Sequence, residues 1–201
     1  MKIFLARHGQ SEWQVDRNTQ GWNSALSATG QEQAQLLADW LVNHVALDHD
    51  SRLELGSIRV SPLQRAQETA VPLTTALNLP ATTDDSLQEA TFYVSRHLPS
   101  ADSPYQTDVP YEVPEIYGRF KAQAEQALHN LVADAESTGQ PVLGVSHGGL
   151  ISTLLRVATQ SDHTSYWIYN TSLNLIEWKR GRWHLVYLNL WDHLPTHLRT
   201  Y

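Results

Sequence analysis

The chain has 201 residues, 41% of them hydrophobic, with 14 Lys and Arg against 21 Asp and Glu for a formal charge of −7. That length serves one core, and the negative field works against a nucleic-acid backbone or an anionic bilayer, so neither is expected as a partner. Cysteine is absent, which excludes disulfides, thiolate catalysis and zinc–thiolate sites.

Ile3-Phe4-Leu5-Ala6 is an apolar run that predicts a strand buried on both faces; it is too short for a secretory leader. Thr29-Gly30-Gln31-Glu32 reads as a capping box opening a helix with Ala34, Leu37, Ala38, Leu41 and Val45 on one face. Gly56 to Ser61 predicts a second strand. It leads into a helix with Ser61 as cap, Pro62 at the first helical position and Ala66, Ala70, Leu73 and Leu77 as its stripe. Thr91 to Val113 breaks this rhythm with prolines at 99, 104 and 110, tyrosines at 93, 105 and 111, and no period. So long a connection is expected to be a lid, and its aromatic content points to a substrate with an apolar or planar part.

A long amphipathic helix follows from about Pro114 to Ala135, carrying Phe120, Ala124, Leu128 and Leu131. Pro141 to Ser146 predicts a third strand, and Leu150, Ile151, Leu154, Leu155 and Ala158 a helix beyond Gly149. Ser172–Trp178 and Trp183–Asn189 flank Lys179-Arg180-Gly181-Arg182 and predict a hairpin. The longest uncharged stretch, 137–155, holds a proline and four glycines and is no membrane span. The expectation is a cytoplasmic α/β protein: a single domain over 1–201 with a mostly parallel, helix-covered sheet and a lid at about 91–113.

Open parallel sheets bind ligands beyond the carboxyl ends of their strands. The predicted strands end in Arg7-His8-Gly9, in Ser61-Pro62-Leu63-Gln64-Arg65, and in Ser146-His147-Gly148-Gly149. Two histidines, two arginines and positive helix ends on one edge favour an anion, and phosphate suits the forked guanidinium. Gly9 and Gly148 let such a ligand approach the backbone.

Five blocks carry a resemblance: Phe4-Leu-Ala-Arg-His-Gly-Gln-Ser-Glu-Trp, Leu26-Ser-Ala-Thr-Gly, Ser61-Pro-Leu-Gln-Arg-Ala-Gln-Glu-Thr-Ala, Leu87-Gln-Glu89 and Ser146-His-Gly-Gly. In this order they resemble the histidine phosphatase superfamily, in its phosphoglycerate-mutase-like branch, over nearly the whole chain. The resemblance implies a three-layer α/β/α sandwich and a phosphohistidine formed on His8. Arg7, Arg65 and His147 would hold the phosphoryl oxygens, and Glu89 would protonate the leaving group. Ser11, Gln14, Gln20, Gly21 and Gly148 would add substrate contacts. No metal and no cofactor is called for, and the partner would be a small phosphorylated metabolite; oligomeric state is left open.

Gln14 stands where the family commonly has Asn. Arg96 is the only Lys or Arg between Glu89 and Arg119, which disfavours retention of a second phosphate and so favours hydrolysis over mutase chemistry. Two rival readings are a metallohydrolase using His8, His147 and Glu89, which Arg7 and Arg65 would oppose by repulsion, and a non-catalytic binder of phosphorylated ligands. His193 and His197 are four apart, but Pro195 between them spoils a helical metal pair.

Overall fold

The computed structural model describes residues 1–18, 21–43, 54–106 and 109–201. Its strands are β1 (Lys2–Arg7), β2 (Ser57–Val60), β3 (Ala81–Thr83), β4 (Val142–Ser146), β5 (Leu173–Lys179) and β6 (Arg182–Leu190). They form one sheet in the order β3-β2-β4-β1-β5-β6. The β3–β2, β2–β4 and β4–β1 pairings are parallel, and β5 and β6 add an antiparallel hairpin beside β1. The helices are α1 (Glu12–Val15), α2 (Ala28–Asn43), α3 (Gln64–Leu77), α4 (Glu115–Thr138) and α5 (Gly148–Thr159). Among the described residues no helix is long and apolar enough to cross a membrane.

Strand alternation sorts the apolar side chains into two cores. Phe4, Ala6, Ile58, Val60, Leu143 and Val145 face α2 and α3, where Leu37, Leu41, Ala66 and Leu73 are buried. Ile3, Leu5 and Val142 point the other way, toward Phe120, Leu131, Ile151 and Leu154 of α4 and α5. This is the expected α/β/α sandwich with a mostly parallel sheet. The β5–β6 turn places Arg180 and Gly181 at φ of 53° and 74°, the geometry of a two-residue I′ hairpin that a glycine at the second position favours.

Two expected helix starts need correction. In α2 the Ser27 hydroxyl, not Thr29, accepts the Gly30 N–H at 3.1 Å. Ser27 also bonds the Gln10 side chain at 2.8 Å, so the cap sits where the preceding loop holds it. In α3 Ser61 does not cap. The helix opens at Gln64, whose N–H donates 2.7 Å to the Asn23 side chain across the loop. The Ser61 hydroxyl accepts the N–H of Leu63, the residue before the helix, at 3.3 Å and also meets His147 at 2.7 Å. The short edge strand β3 had no sequence signal, and Val45 lies outside the described residues. Within 91–113 the described residues hold a single 3₁₀ turn, Val94–His97, to whose His97 carbonyl the Tyr111 hydroxyl donates at 2.7 Å.

Candidate active site

The parallel register pairs Arg7 with Ser146, so the next residues, His8 and His147, leave the sheet side by side with ring centroids 5.0 Å apart. The ladders run on past the strand ends: the His8 N–H donates to the Ser146 carbonyl at 2.9 Å and the Ser61 N–H to that of Val145 at 3.0 Å. His8 is 3% exposed. Its Nδ1 lies 2.6 Å from the Gly9 carbonyl oxygen. A carbonyl can only accept, so Nδ1 carries the proton and Nε2 presents a lone pair. Gly9 is required here, because a Cβ on it would run into the backbone of Gly30.

Arg65 enters from the first turn of α3. Its Nε sits 3.1 Å from His8 Nε2, and a terminal nitrogen donates to the Trp22 carbonyl at 2.9 Å. The guanidinium lies 5.0 Å from the Trp22 ring centroid. Arg7 donates 2.6 Å to the Ile168 carbonyl, from the segment before β5. His147 occupies the position preceding α5, with Nε2 held 2.7 Å from the Ser61 hydroxyl. Among the described residues, Arg7 Nε and His147 Nδ1 are the buried side-chain nitrogens left without a partner.

Glu89 arrives by a pinned loop. Asp84 accepts the Ser86 N–H at 2.9 Å and pairs with Arg59 of β2 at 3.1 Å. Gln123 of α4 donates to the Ser86 and Gln88 carbonyls, and Ser146 of β4 to that of Leu87 at 2.7 Å. The Glu89 carboxylate then accepts the Gly149 and Ala90 N–H groups, both at 2.9 Å. A Cβ at residue 149 would collide with that carboxylate, so a larger residue at this first turn of α5 would displace it.

Burial, followed by the charges of His147, Arg7 and Arg65, holds His8 well below the ordinary histidine range. His147 is lowered in the same way by burial, then by Arg65 and Arg7. Both imidazoles are therefore neutral at pH 7. Burial pushes Arg7 down to about 10 despite Glu89 nearby. Burial also raises Glu89, against the pull of its two N–H donors, Arg7 and Arg65.

Arg7, His8, Arg65, Glu89, His147 and Gly148 thus meet at one corner of the sheet. Gly148 sits so that a Cβ on it would be 3.5 Å from Arg7 Nε. Ser11 and Gln14 are tied to this corner by hydrogen bonds of their own. The Gln14 carbonyl oxygen returns to the Ser11 N–H at 3.0 Å, and its amide donates to Asn170 at 3.1 Å. Asn170 in turn donates 2.9 Å to the His8 carbonyl, so these polar groups hold the His8 backbone. Gly21 is exposed with open space around it, beside Trp22. Gln20 lies outside the described residues. Sequence reasoning did not find Ser61 as a partner of His147, nor Asn170, Ile168 and Arg156. The contacts that bring Ser61, Asn170 and Ile168 to the site span from 86 to 162 residues, and only Ser61 falls inside a recognised block.

A family model for the histidine phosphatase superfamily (branch 1) matches residues 3–190. The chain is 25% identical over 201 residues to the uncharacterized phosphatase PhoE of Bacillus subtilis, covering 96% of each. It is 26% identical to the probable phosphoglycerate mutase GpmB of Yersinia enterocolitica, covering 91% of this chain and 87% of that one. In fold it matches the phosphoserine phosphatase of Entamoeba histolytica, solved in complex with 3-phosphoglyceric acid. That match has a TM-score of 0.71 at 20% identity and covers 96% of this chain and 99% of that one.

Proposed function

The chain belongs to the histidine phosphatase superfamily, branch 1, and on that premise we propose that it hydrolyses small phosphomonoesters, without a metal, through a phosphohistidine on His8. The observation that carries this reading is the pair of buried, unpartnered nitrogens, Arg7 Nε and His147 Nδ1, at the corner where His8 Nε2 presents its lone pair. A buried donor without an acceptor is costly, and a phosphoryl group would supply oxygens to both.

In this reading the phosphoryl oxygens lie on Arg7, Arg65 and His147, with the Gly148 backbone leaving room for them. His8 Nε2 forms a bond to phosphorus as the ester P–O bond breaks, and protonated Glu89 gives its proton to the departing oxygen. The imidazole ring becomes cationic and keeps its Nδ1–H on the Gly9 carbonyl. Water then attacks the phosphorus and gives a proton to the Glu89 carboxylate. The N–P bond breaks, releasing inorganic phosphate and restoring neutral His8 and protonated Glu89. A dication at His8 Nε2 would face the Arg65 guanidinium 3.1 Å away, which favours positioning by cations of the chain over a bound metal.

The phosphatase name of one relative and the mutase name of another leave transfer to a second alcohol as the competing chemistry. Arg96 is the only cation between Glu89 and Arg119, and it is stacked over Tyr93 at 4.7 Å. That supports hydrolysis.

Glu89→Gln tests the acid. For alkyl esters, whose leaving oxygen needs a proton, kcat/KM should fall by about a hundredfold or more, and for p-nitrophenyl phosphate far less. In the wild type the alkyl-ester kcat/KM should decline as pH rises through the Glu89 pKa, which lies above the usual carboxylate value because burial disfavours its anion. Equal losses on both ester classes would remove Glu89 from this role.

A further inference from the structure

The phosphoryl corner shares Glu89 and Gly148 with the edge of a larger cavity. That cavity has a volume of about 480 Å³ and begins at Glu89, Gly148 and Gly149. Ser152 and Arg156 continue the same face of α5 along its floor, and eight residues of helix carry the floor about 12 Å away from the phosphoryl end. Its walls hold Trp13, Trp22, Phe92, Tyr93, Tyr166 and Trp167, contributed by three separate segments.

The charged residues that line it are Glu89 and Arg156. Glu89 is assigned to the proton transfer above. Arg156 is 1% exposed, and its nitrogens donate to the Tyr117 hydroxyl at 2.9 Å, to Ser152 at 2.7 Å and to Thr153 at 2.8 Å. With those oxygens caging it, Arg156 closes the floor and does not reach for a ligand. Arg17 and Arg96 stack on Trp13 and Tyr93 but do not line the cavity. Among the described residues, a carboxylate or second phosphate placed here would meet Glu89 and no free cation lining the cavity. By contrast, Tyr93 and Trp167 are 56% and 67% exposed, aromatic surface left facing water that an apolar ligand would cover.

We propose that the alcohol part of the substrate is an uncharged, elongated apolar or aromatic group that lies along α5 between these rings. This rests on the phosphatase reading for the identity of the phosphoryl end, and it excludes small anionic esters such as 3-phosphoglycerate and phosphoserine as preferred substrates.

The test separates binding from turnover. Calorimetry with ethyl-, butyl- and hexylphosphonate should show affinity rising about two- to fourfold per added methylene. Steady-state kcat/KM for hexyl and 2-phenylethyl phosphate should likewise exceed that for ethyl phosphate, 3-phosphoglycerate and phosphoserine, all alkyl esters. Tyr93→Ala and Trp167→Ala, both at exposed positions, should each lower the hexyl-to-ethyl ratio. A flat phosphonate series, or 3-phosphoglycerate or phosphoserine as the better substrate, would overturn the inference while leaving the phosphatase reading intact. Tight chain-length-dependent phosphonate binding with no ester turned over would uphold the cavity's preference and overturn the phosphatase reading instead.

Discussion

His147 is neutral and buried, so it has one N–H, and which nitrogen carries it decides what the site can bind. Ser61 bears on that. Its oxygen accepts the Leu63 N–H at 3.3 Å and lies 2.7 Å from His147 Nε2. In the proposed reaction a phosphoryl oxygen accepts from Nδ1, the unpartnered nitrogen at that corner, and Nε2 then takes the Ser61 proton. On that reading Ser61 is a positioning residue that acts through His147. Ser61→Ala should lower kcat/KM by about tenfold, in line with weakening the proposed His147 hydrogen bond to a phosphoryl oxygen by roughly 1.5 kcal/mol. It should also shift the His147 ring to the Nε2–H tautomer, read from its ¹⁵N chemical shifts. Unchanged tautomer and unchanged kcat/KM would show that Ser61 only fills space. At this scale His8, Arg7, Arg65 and His147 were legible because each ends a strand or opens a helix within a recognisable block. Ser61 lay in such a block too, yet local capping rules assigned it the wrong partner, since a hydroxyl next to a helix start has two uses and only the tertiary structure chooses.

At the level of elements, strand ends and one helix start do the positioning. Periodic stripes were readable because burial enforces them: Ala66, Ala70 and Leu73 of α3 and Phe120, Ala124, Leu128 and Leu131 of α4 are all buried. Cap positions were not, because Ser27 and Asn23 satisfy helix N–H groups through loops whose placement depends on Gln10 and Trp22. Glu89 sits in a loop without any period, and only the resemblance singled it out. Its dependence on α5 yields a prediction in which stability and activity part. Gly149→Ala adds a methyl into the Glu89 carboxylate, yet alanine favours a helix over glycine by about 1 kcal/mol. Turnover of alkyl esters should drop by about tenfold or more, while the melting temperature holds or rises. A variant that melts lower and keeps full turnover would contradict the placement of Glu89 against this helix.

Across the whole molecule, a chain of net charge −7 concentrates two buried guanidiniums and two neutral imidazoles at one sheet edge. Parallel pairing makes that possible, since β1, β2 and β4 all end at the same edge, and the switch in strand order beside β1 leaves a crevice there. The remaining supports come from far along the chain. Ile168 receives Arg7, and Asn170, itself bonded to Thr200, receives Gln14 and holds the His8 carbonyl. Contacts so distant in sequence leave no local pattern to read. The central claim, that this assembly makes His8 a nucleophile, is tested most directly by trapping. An ester substrate should be mixed with the protein, quenched in base within a turnover and analysed by peptide mass spectrometry. The account predicts a phosphoryl group on His8 that survives base, is lost in acid and is missing from His8→Ala, which should not turn over. Undiminished turnover by His8→Ala, or a wild-type enzyme that hydrolyses esters with the phosphoryl group on another residue, would contradict it.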